Sequence, residues 1–347
     1  MRTPKTKILV TGGTGYIGSH TVVELIASGY EVVIIDNLSN SSETVVDRIG
    51  EITGVRPAFH RVEMCEKAEM QAFFDQHPDI RAVIHFAAFL QVNESVKEPL
   101  TYYLNNLNSQ LNVLQCMKER NIDHFVFSSS CTVYGNPDNL PVDERAPIKK
   151  AESAYGNTKQ MGEEILEHTV KATRINAISL RYFNPVGAHE SALIGEVQHG
   201  VPHHLVPYIT ETAFGKRSQL NVFGSDYRTH DGTCVRDYIH VVDVAKAHVA
   251  AIDRLINGKN RSNYEVFNLG TGIGYSVLDM IGAFTKATGI SIKYELAPRR
   301  VGDVEAVYAD TTLANRELGW KAMLNVEDMM RSAWKWEQAV AAKKTEA

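Results

Sequence analysis

Short uninterrupted apolar runs alternate with longer amphipathic segments through the first half of the chain. The runs fall at 7–11, 31–35, 58–62, 82–86, 124–128 and 176–181. Apolar stretches without a polar alternation predict strands buried on both faces of a parallel sheet. The segments between them, for example 15–28, 66–75, 106–119 and 155–171, have helical length and spacing. Strand and helix in strict alternation predict an α/β fold with a doubly wound parallel sheet. After Asn184 the pattern loosens, and Gly, Pro and His are frequent up to about 235. One helix-like segment stands there at 205–214, and regular elements resume at 240–255, 264–269, 276–287 and 326–336. The expected organisation is a nucleotide-binding domain over 1–182 and a smaller mixed α/β substrate domain over 183–347. The chain is expected to cross back to the first domain, and the tail after Trp336 is expected to fray.

Composition narrows the classes. The 347 residues are 44% apolar, enough for a core and too many for a disordered chain. With 36 basic and 41 acidic residues the formal charge is 36 − 41 = −5, which argues against a nucleic-acid binder. Cys65, Cys116, Cys131 and Cys234 form no C-x-x-C pair, so no zinc knuckle or disulfide scaffold is signalled, and a reduced cytoplasmic protein is expected. No run approaches the ~18 apolar residues of a membrane span, and the apolar run after the basic start is too short for a signal peptide. The thirteen histidines show no H-E-x-x-H spacing, and no metal site is expected.

Directly after the first strand comes Gly12-Gly13-Thr14-Gly15-Tyr16-Ile17-Gly18. Glycines let a backbone turn sharply and approach a pyrophosphate, and the helix that follows offers free N–H groups to the anion. Asp36 ends the second strand, 18 residues past Gly18. A carboxylate there accepts from the adenosine ribose hydroxyls and repels a 2′-phosphate, which favours NAD over NADP. The turn, the strand before it and the acidic residue after it make a Rossmann-type unit.

Tyr155 and Lys159 stand four apart, on one face of a helix. Ser128-Ser129-Ser130 follows a strand, at the sheet edge where such folds bind ligands. Hydroxyl, phenol and ammonium together form an acid–base unit. A tyrosine of ordinary pKa near 10 becomes a base near neutrality when a Lys ammonium and a cationic nicotinamide ring stabilise its phenolate.

These segments, with VTGGTGYIGSHT, FSSSCTVYG, AYGNTK, LRYFNPVGAH, DGTCVRDYIHVVDVA, FNLGTG and APRRVGD in this order, resemble the extended short-chain dehydrogenases/reductases, and within them the UDP-glucose 4-epimerase family. The similarity runs from about Lys7 to Trp336. It implies epimerisation of a UDP-sugar at C4 through a transient 4-keto sugar, with tightly held NAD. Tyr155 would take the proton from the 4-hydroxyl, Ser130 would hydrogen-bond the same oxygen with help from Thr132, and Lys159 would lower the Tyr155 pKa. The implied NAD contacts are Gly12, Gly15, Tyr16, Ile17, Gly18, Asp36, Asn37, Glu63, Met64, Phe86, Ala87, Ala88, Asn105, Ser128, Tyr155, Lys159 and Tyr182. The implied substrate contacts are Ser130, Tyr155, Asn184, His204, Leu205, Asn221, Phe223, Arg236, Tyr238, Arg300, Asp303 and Val307. Arg236 and Arg300 would clamp the diphosphate, Phe223 lies in the uracil-binding strand, and Asp303 would hold the uridine ribose. The family also implies a homodimer pairing through helices like 106–119 and 155–171.

Four places depart from the family pattern. Glu63-Met64 replaces an Asp with an aliphatic neighbour, and Leu90 replaces a lysine that helps hold the cofactor. His203-His204 replaces Asn-Asn, with protonated His204 a stronger phosphate donor. Val307 stands where tyrosine closes the sugar pocket, so N-acetylated UDP-hexosamines are expected to fit. Other readings stay open. A nucleotide-sugar dehydratase or decarboxylase would need a carboxylate beside Thr132, where the sequence reads Cys131-Thr132-Val133. A regulator that senses NAD without turnover would have no use for the intact Tyr155–Lys159 pair.

Overall fold

A computed structural model of the chain describes residues 5–197, 200–202, 204–300 and 303–345. The strands are β1 (Lys7–Thr11), β2 (Glu31–Asp36), β3 (Ala58–Arg61), β4 (Ile80–His85), β5 (His124–Ser128), β6 (Asn176–Tyr182), β7 (Asn184–Val186), β8 (Leu220–Phe223), β9 (Val235–His240), β10 (Tyr264–Leu269), β11 (Gly274–Ser276), β12 (Tyr294–Ala297) and β13 (Ala306–Val307). Seven of them form one parallel sheet in the order β10-β6-β5-β4-β1-β2-β3. The order reverses between β1 and β4, which leaves a crevice above their carboxyl ends. Val and Ile dominate the central strands because both faces are covered. Ile8, Val10, Ile34 and Ile84 pack under one helical layer, and Leu9, Val33, Val83 and Phe125 under the other.

The second half returns to this sheet. Helix Val241–Ile256 packs against helix Tyr16–Ala27, and β10 pairs with β6 at the sheet edge. Trp320 joins the same layer, its indole N–H donating to the Asp243 carbonyl at 3.0 Å. The remainder builds the opposite wall of the crevice. β9 is its axis, pairing with β7 and β13 in parallel and with β11 antiparallel, while β8 pairs with β12. Val222, Ile209, Met280 and Phe284 make a separate core there.

Several elements differ from the expected pattern, three helices among them. Helix Pro99–Glu119 begins seven residues before 106. Pro at its first turn is compatible with helix geometry, while the polar run Asn105-Asn106 hides the continuity in the sequence. Helix Thr44–Thr53 has no counterpart in the expected pattern, being short and preceded by a Ser-rich turn. The last helix runs from Val326 to Thr345 rather than fraying after Trp336, as its Ala- and Lys-rich end favours helix. Among the described residues no helix is long and apolar enough to cross a membrane.

Candidate active site

The phosphate turn is held by close backbone packing. Gly12 has φ +68°, and a Cβ there would sit 2.8 Å from the Ala87 nitrogen. A Cβ on Gly18 would meet the Gly12 carbonyl oxygen at 2.2 Å, so the helix can start this close to the turn only with glycine. Helix Tyr16–Ala27 begins with no side-chain cap, which leaves its first N–H groups facing the crevice. Asp36 ends β2 beside them. Its carboxylate accepts from Thr14 N at 3.3 Å and Leu38 N at 2.9 Å. Asn37 Nδ2 donates to Glu63 Oε2 at 2.8 Å, so the Glu63 departure still joins this rim. The glycine cradle, the uncapped helix start and the ribose-side carboxylate fit NAD.

The carboxyl end of β5 meets helix Ala154–Ala172. Ser153 caps that helix by accepting from Gly156 N at 3.1 Å, which sets Tyr155 in its first turn. Tyr155 hydrogen-bonds Ser130, and burial pushes its phenol well above the ordinary value. Ser130 in turn caps the 3₁₀ turn Cys131–Tyr134, accepting from Thr132 N at 3.2 Å. Lys159 Nζ donates to the Ser128 carbonyl at 2.7 Å and lies 5.8 Å from the Tyr155 ring centre. Burial brings Lys159 down to about 8, so it remains mostly an ammonium near neutrality. Ser128 Oγ pairs with Tyr182 Oη at 2.7 Å.

The expected lowering of Tyr155 by Lys159 is absent in the protein alone. Of the neighbouring groups, the Ser130 hydrogen bond lowers the phenol, and burial outweighs it. A cation brought in by a bound ligand would act in the same lowering sense.

One cleft of about 1280 Å³ runs from the glycine turn to the second wall. It is lined by every predicted contact residue except Val307. At the far end Arg300 Nε pairs with Asp303 Oδ2 at 3.1 Å, and its guanidinium carbon lies 4.8 Å from the Phe223 ring centre. These two residues therefore engage each other rather than standing free. Arg236 and Tyr238 project from β9, Asn221 and Phe223 from β8. His204 precedes helix Leu205–Ala213, with Nε2 3.8 Å from Glu196 Oε1. His203 lies outside the described residues. The buried Thr132 Oγ1 and Asn184 Oδ1 have no hydrogen-bond partner, and both residues lie on the cleft wall. An unmet buried polar atom is costly, and a polar ligand in the cleft would satisfy it.

Val307 requires a correction. It is 8% exposed and packs with Val133, Tyr134, Phe183 and Ala309, off the cleft wall. An apolar side chain this short is drawn into the neighbouring core instead of reaching the sugar end. Leu90 is exposed on the wall, where the family pattern has a lysine. The sequence reading missed Cys131, Phe183 and Arg48, which also line the cleft. Cys131 and Phe183 adjoin recognised motif residues, which was a usable signal. Arg48 sits on the unexpected helix Thr44–Thr53, whose apolar spacing Val45, Val46 and Ile49 was its only signal.

Comparison with known proteins gives a consistent picture. Residues 8–270 match the NAD dependent epimerase/dehydratase family. A UDP-glucose 4-epimerase of Haemophilus influenzae is 50% identical over 332 residues, covering 95% of this chain and 97% of that protein. The crystal structure of a Stenotrophomonas maltophila UDP-glucose 4-epimerase with bound NAD and formylated UDP-arabinopyranose aligns with TM-score 0.94 at 47% identity, over 97% of this chain and 99% of that one. A Bifidobacterium longum UDP-glucose 4-epimerase in complex with NAD⁺ and UDP aligns with TM-score 0.91 at 46% identity, over 96% and 98%.

Proposed function

The chain belongs to the NAD dependent epimerase/dehydratase family, and we propose that within it this protein is a UDP-glucose 4-epimerase, interconverting UDP-galactose and UDP-glucose. The observation that carries this reading is one continuous cleft. It joins the glycine turn, the Ser130–Tyr155–Lys159 group and the Arg236 and Arg300 end.

NAD, when bound, supplies a reversible hydride acceptor and a positive charge beside the reacting carbon. Tyr155 is the proton carrier for the sugar 4-hydroxyl, taking the proton in one direction and returning it in the other. Ser130 holds that phenol by its hydrogen bond and offers the second polar contact to the same oxygen. Lys159, fixed by the Ser128 carbonyl, adds a cation on the nicotinamide side. Thr132 Oγ1 and Asn184 Oδ1 are free to meet sugar or phosphate groups. Arg236 and Arg300 bind the diphosphate, while Phe223 lies in the strand that meets the uracil. A firm grip on UDP and few contacts to the sugar let the ketone present either face. No carboxylate adjoins Thr132, which disfavours dehydration.

Position 307 puts no side chain on the cleft wall, which favours a second activity on N-acetylated UDP-hexosamines. On this gate reading Val307→Tyr lowers the ratio of N-acetylated to plain turnover, and an unchanged ratio removes the gate. The protein acts as a homodimer in the cytoplasm on this reading. Leu100, Leu104 and Leu111 form an exposed stripe on helix Pro99–Glu119, and the four cysteines are free thiols. The deciding experiment incubates purified protein with UDP-galactose, with and without added NAD, and follows the UDP-sugars by chromatography. UDP-glucose formed without added NAD supports epimerisation with retained cofactor. No epimer under either condition overturns the proposal.

A further inference from the structure

Behind the catalytic face lies a buried polar cluster that does not reach the cleft. Glu163 follows Lys159 by one helical turn and Tyr155 by two, so all three share a face of one helix. Its carboxylate accepts from Ser129 Oγ at 2.5 Å, Arg181 Nε at 2.9 Å and Arg181 Nη2 at 2.5 Å. Arg181 Nη1 donates to Tyr134 Oη at 3.0 Å, and Tyr134 Oη donates to Asn268 at 2.7 Å. The Glu163 and Arg181 side chains are 9% and 7% exposed. A desolvated ion pair of this kind is a poor source of net stability compared with apolar packing, so its place beside the reacting groups calls for another reason.

Ser129 supplies that reason. On one side Ser128 gives its carbonyl to Lys159, and on the other Ser130 hydrogen-bonds Tyr155. Glu163 thus ties the strand end to the helix that carries both partners. We propose that Glu163, clamped by Arg181, is a positioning residue for the epimerisation: it fixes Ser128–Ser130 against the Tyr155–Lys159 face and places a buried carboxylate one helical turn from Lys159. The inference rests on the proposed function above.

The charges around Lys159 set the direction of the effect. Tyr155 neighbours it on the same helix and His85 on β4 feels its charge, Tyr182 bonds Ser128, whose carbonyl Lys159 meets, and Arg181, Tyr134 and Tyr264 gather around Glu163. Burial holds His85 neutral and pushes the four tyrosines up, so they carry no charge near neutrality. Glu163 is the charge that opposes the fall of Lys159, and Arg181 is the cation that remains if Glu163 is neutralised. Removing the Glu163 charge therefore deprotonates Lys159 at lower pH.

The test compares wild type, E163Q and S129A in steady-state turnover of UDP-galactose between pH 6 and 10. E163Q is expected to lower kcat about tenfold, leave KM within about twofold, and move the alkaline limb of kcat down by about one pH unit. S129A keeps the charge and releases the strand end, so kcat falls about threefold with the limb in place. A limb that superimposes on wild type in E163Q, with only thermal stability reduced, overturns the proposal. If E163Q does not fold, unchanged kcat in S129A overturns it. A wild type without epimerase activity overturns the proposed function instead, so the two failures are distinguishable.

Discussion

At the residue scale the chemistry turns on how far burial displaces two groups. Burial raises the Tyr155 phenol, and Ser130 draws it back. Tyr155→Phe keeps the ring packing and removes the proton carrier. Turnover of UDP-galactose should fall by about 10²–10⁴-fold, the usual size of a general acid–base contribution, with substrate affinity little changed. A drop of less than tenfold would assign the proton to another group. Leu90 tests the cofactor side. It is 46% exposed on the cleft wall, so a charge placed there would be well solvated. Leu90→Lys should slow NAD loss by no more than about fivefold, since an exposed ion pair is worth up to about 1 kcal/mol. NAD retained through gel filtration measures this directly. No change would mean that position 90 does not approach the phosphates.

At the element scale, the sequence shows clearly what repeats and poorly what is short. Strands with both faces buried, such as Lys7–Thr11 and His124–Ser128, are legible because their three central positions are all apolar. The glycine turn is legible because the close approach of Gly18 to Gly12 excludes any other residue. Four-residue β8 is too short to show a period, whereas helix Thr44–Thr53 carries a clear apolar face of Val45, Val46 and Ile49 that the sequence reading passed over, and with that helix went Arg48. Val307 misled for a different reason: the family resemblance put it at the sugar pocket, while on β13 beside Arg236 its side chain turns into a neighbouring core. Helix Pro99–Glu119 yields its own prediction. Leu100, Leu104 and Leu111 are 74%, 63% and 46% exposed, at spacings that put them on one stripe. A row of exposed leucines on a helix is unfavourable in water, and in the proposed homodimer a second copy would cover it. Leu104→Glu together with Leu111→Glu should convert a dimer to a monomer in light scattering. A wild type already monomeric would remove dimerisation from the proposed function.

At the scale of the whole molecule, pH should act through histidines that the fold keeps neutral. Burial lowers His20 and His85 to about 3 and His240 and His248 to about 4, against an unfolded value near 6.5. They are spread over helix Tyr16–Ala27, β4, the end of β9 and helix Val241–Ile256, so they report on the first sheet and its junction with the second wall. The unfolded chain binds protons at these sites from about pH 6.5 downward, while the folded chain does not until about pH 4. Their stabilisation is therefore complete above about pH 6.5 and is lost as pH falls toward about 3–4, each adding up to about 1.4 kcal/mol per pH unit within that window. Asp237, Asp243 and Glu144 are raised by burial and act in the opposite sense. Each of them accepts backbone hydrogen bonds that limit the rise, so the four histidines dominate. The urea midpoint should fall from about pH 7 to about pH 5. His248→Phe, which keeps a ring against Phe86, should make that fall shallower. Equal midpoints at the two pH values would mean that the acids cancel the histidines, and an unchanged slope in His248→Phe would remove His248 from the account.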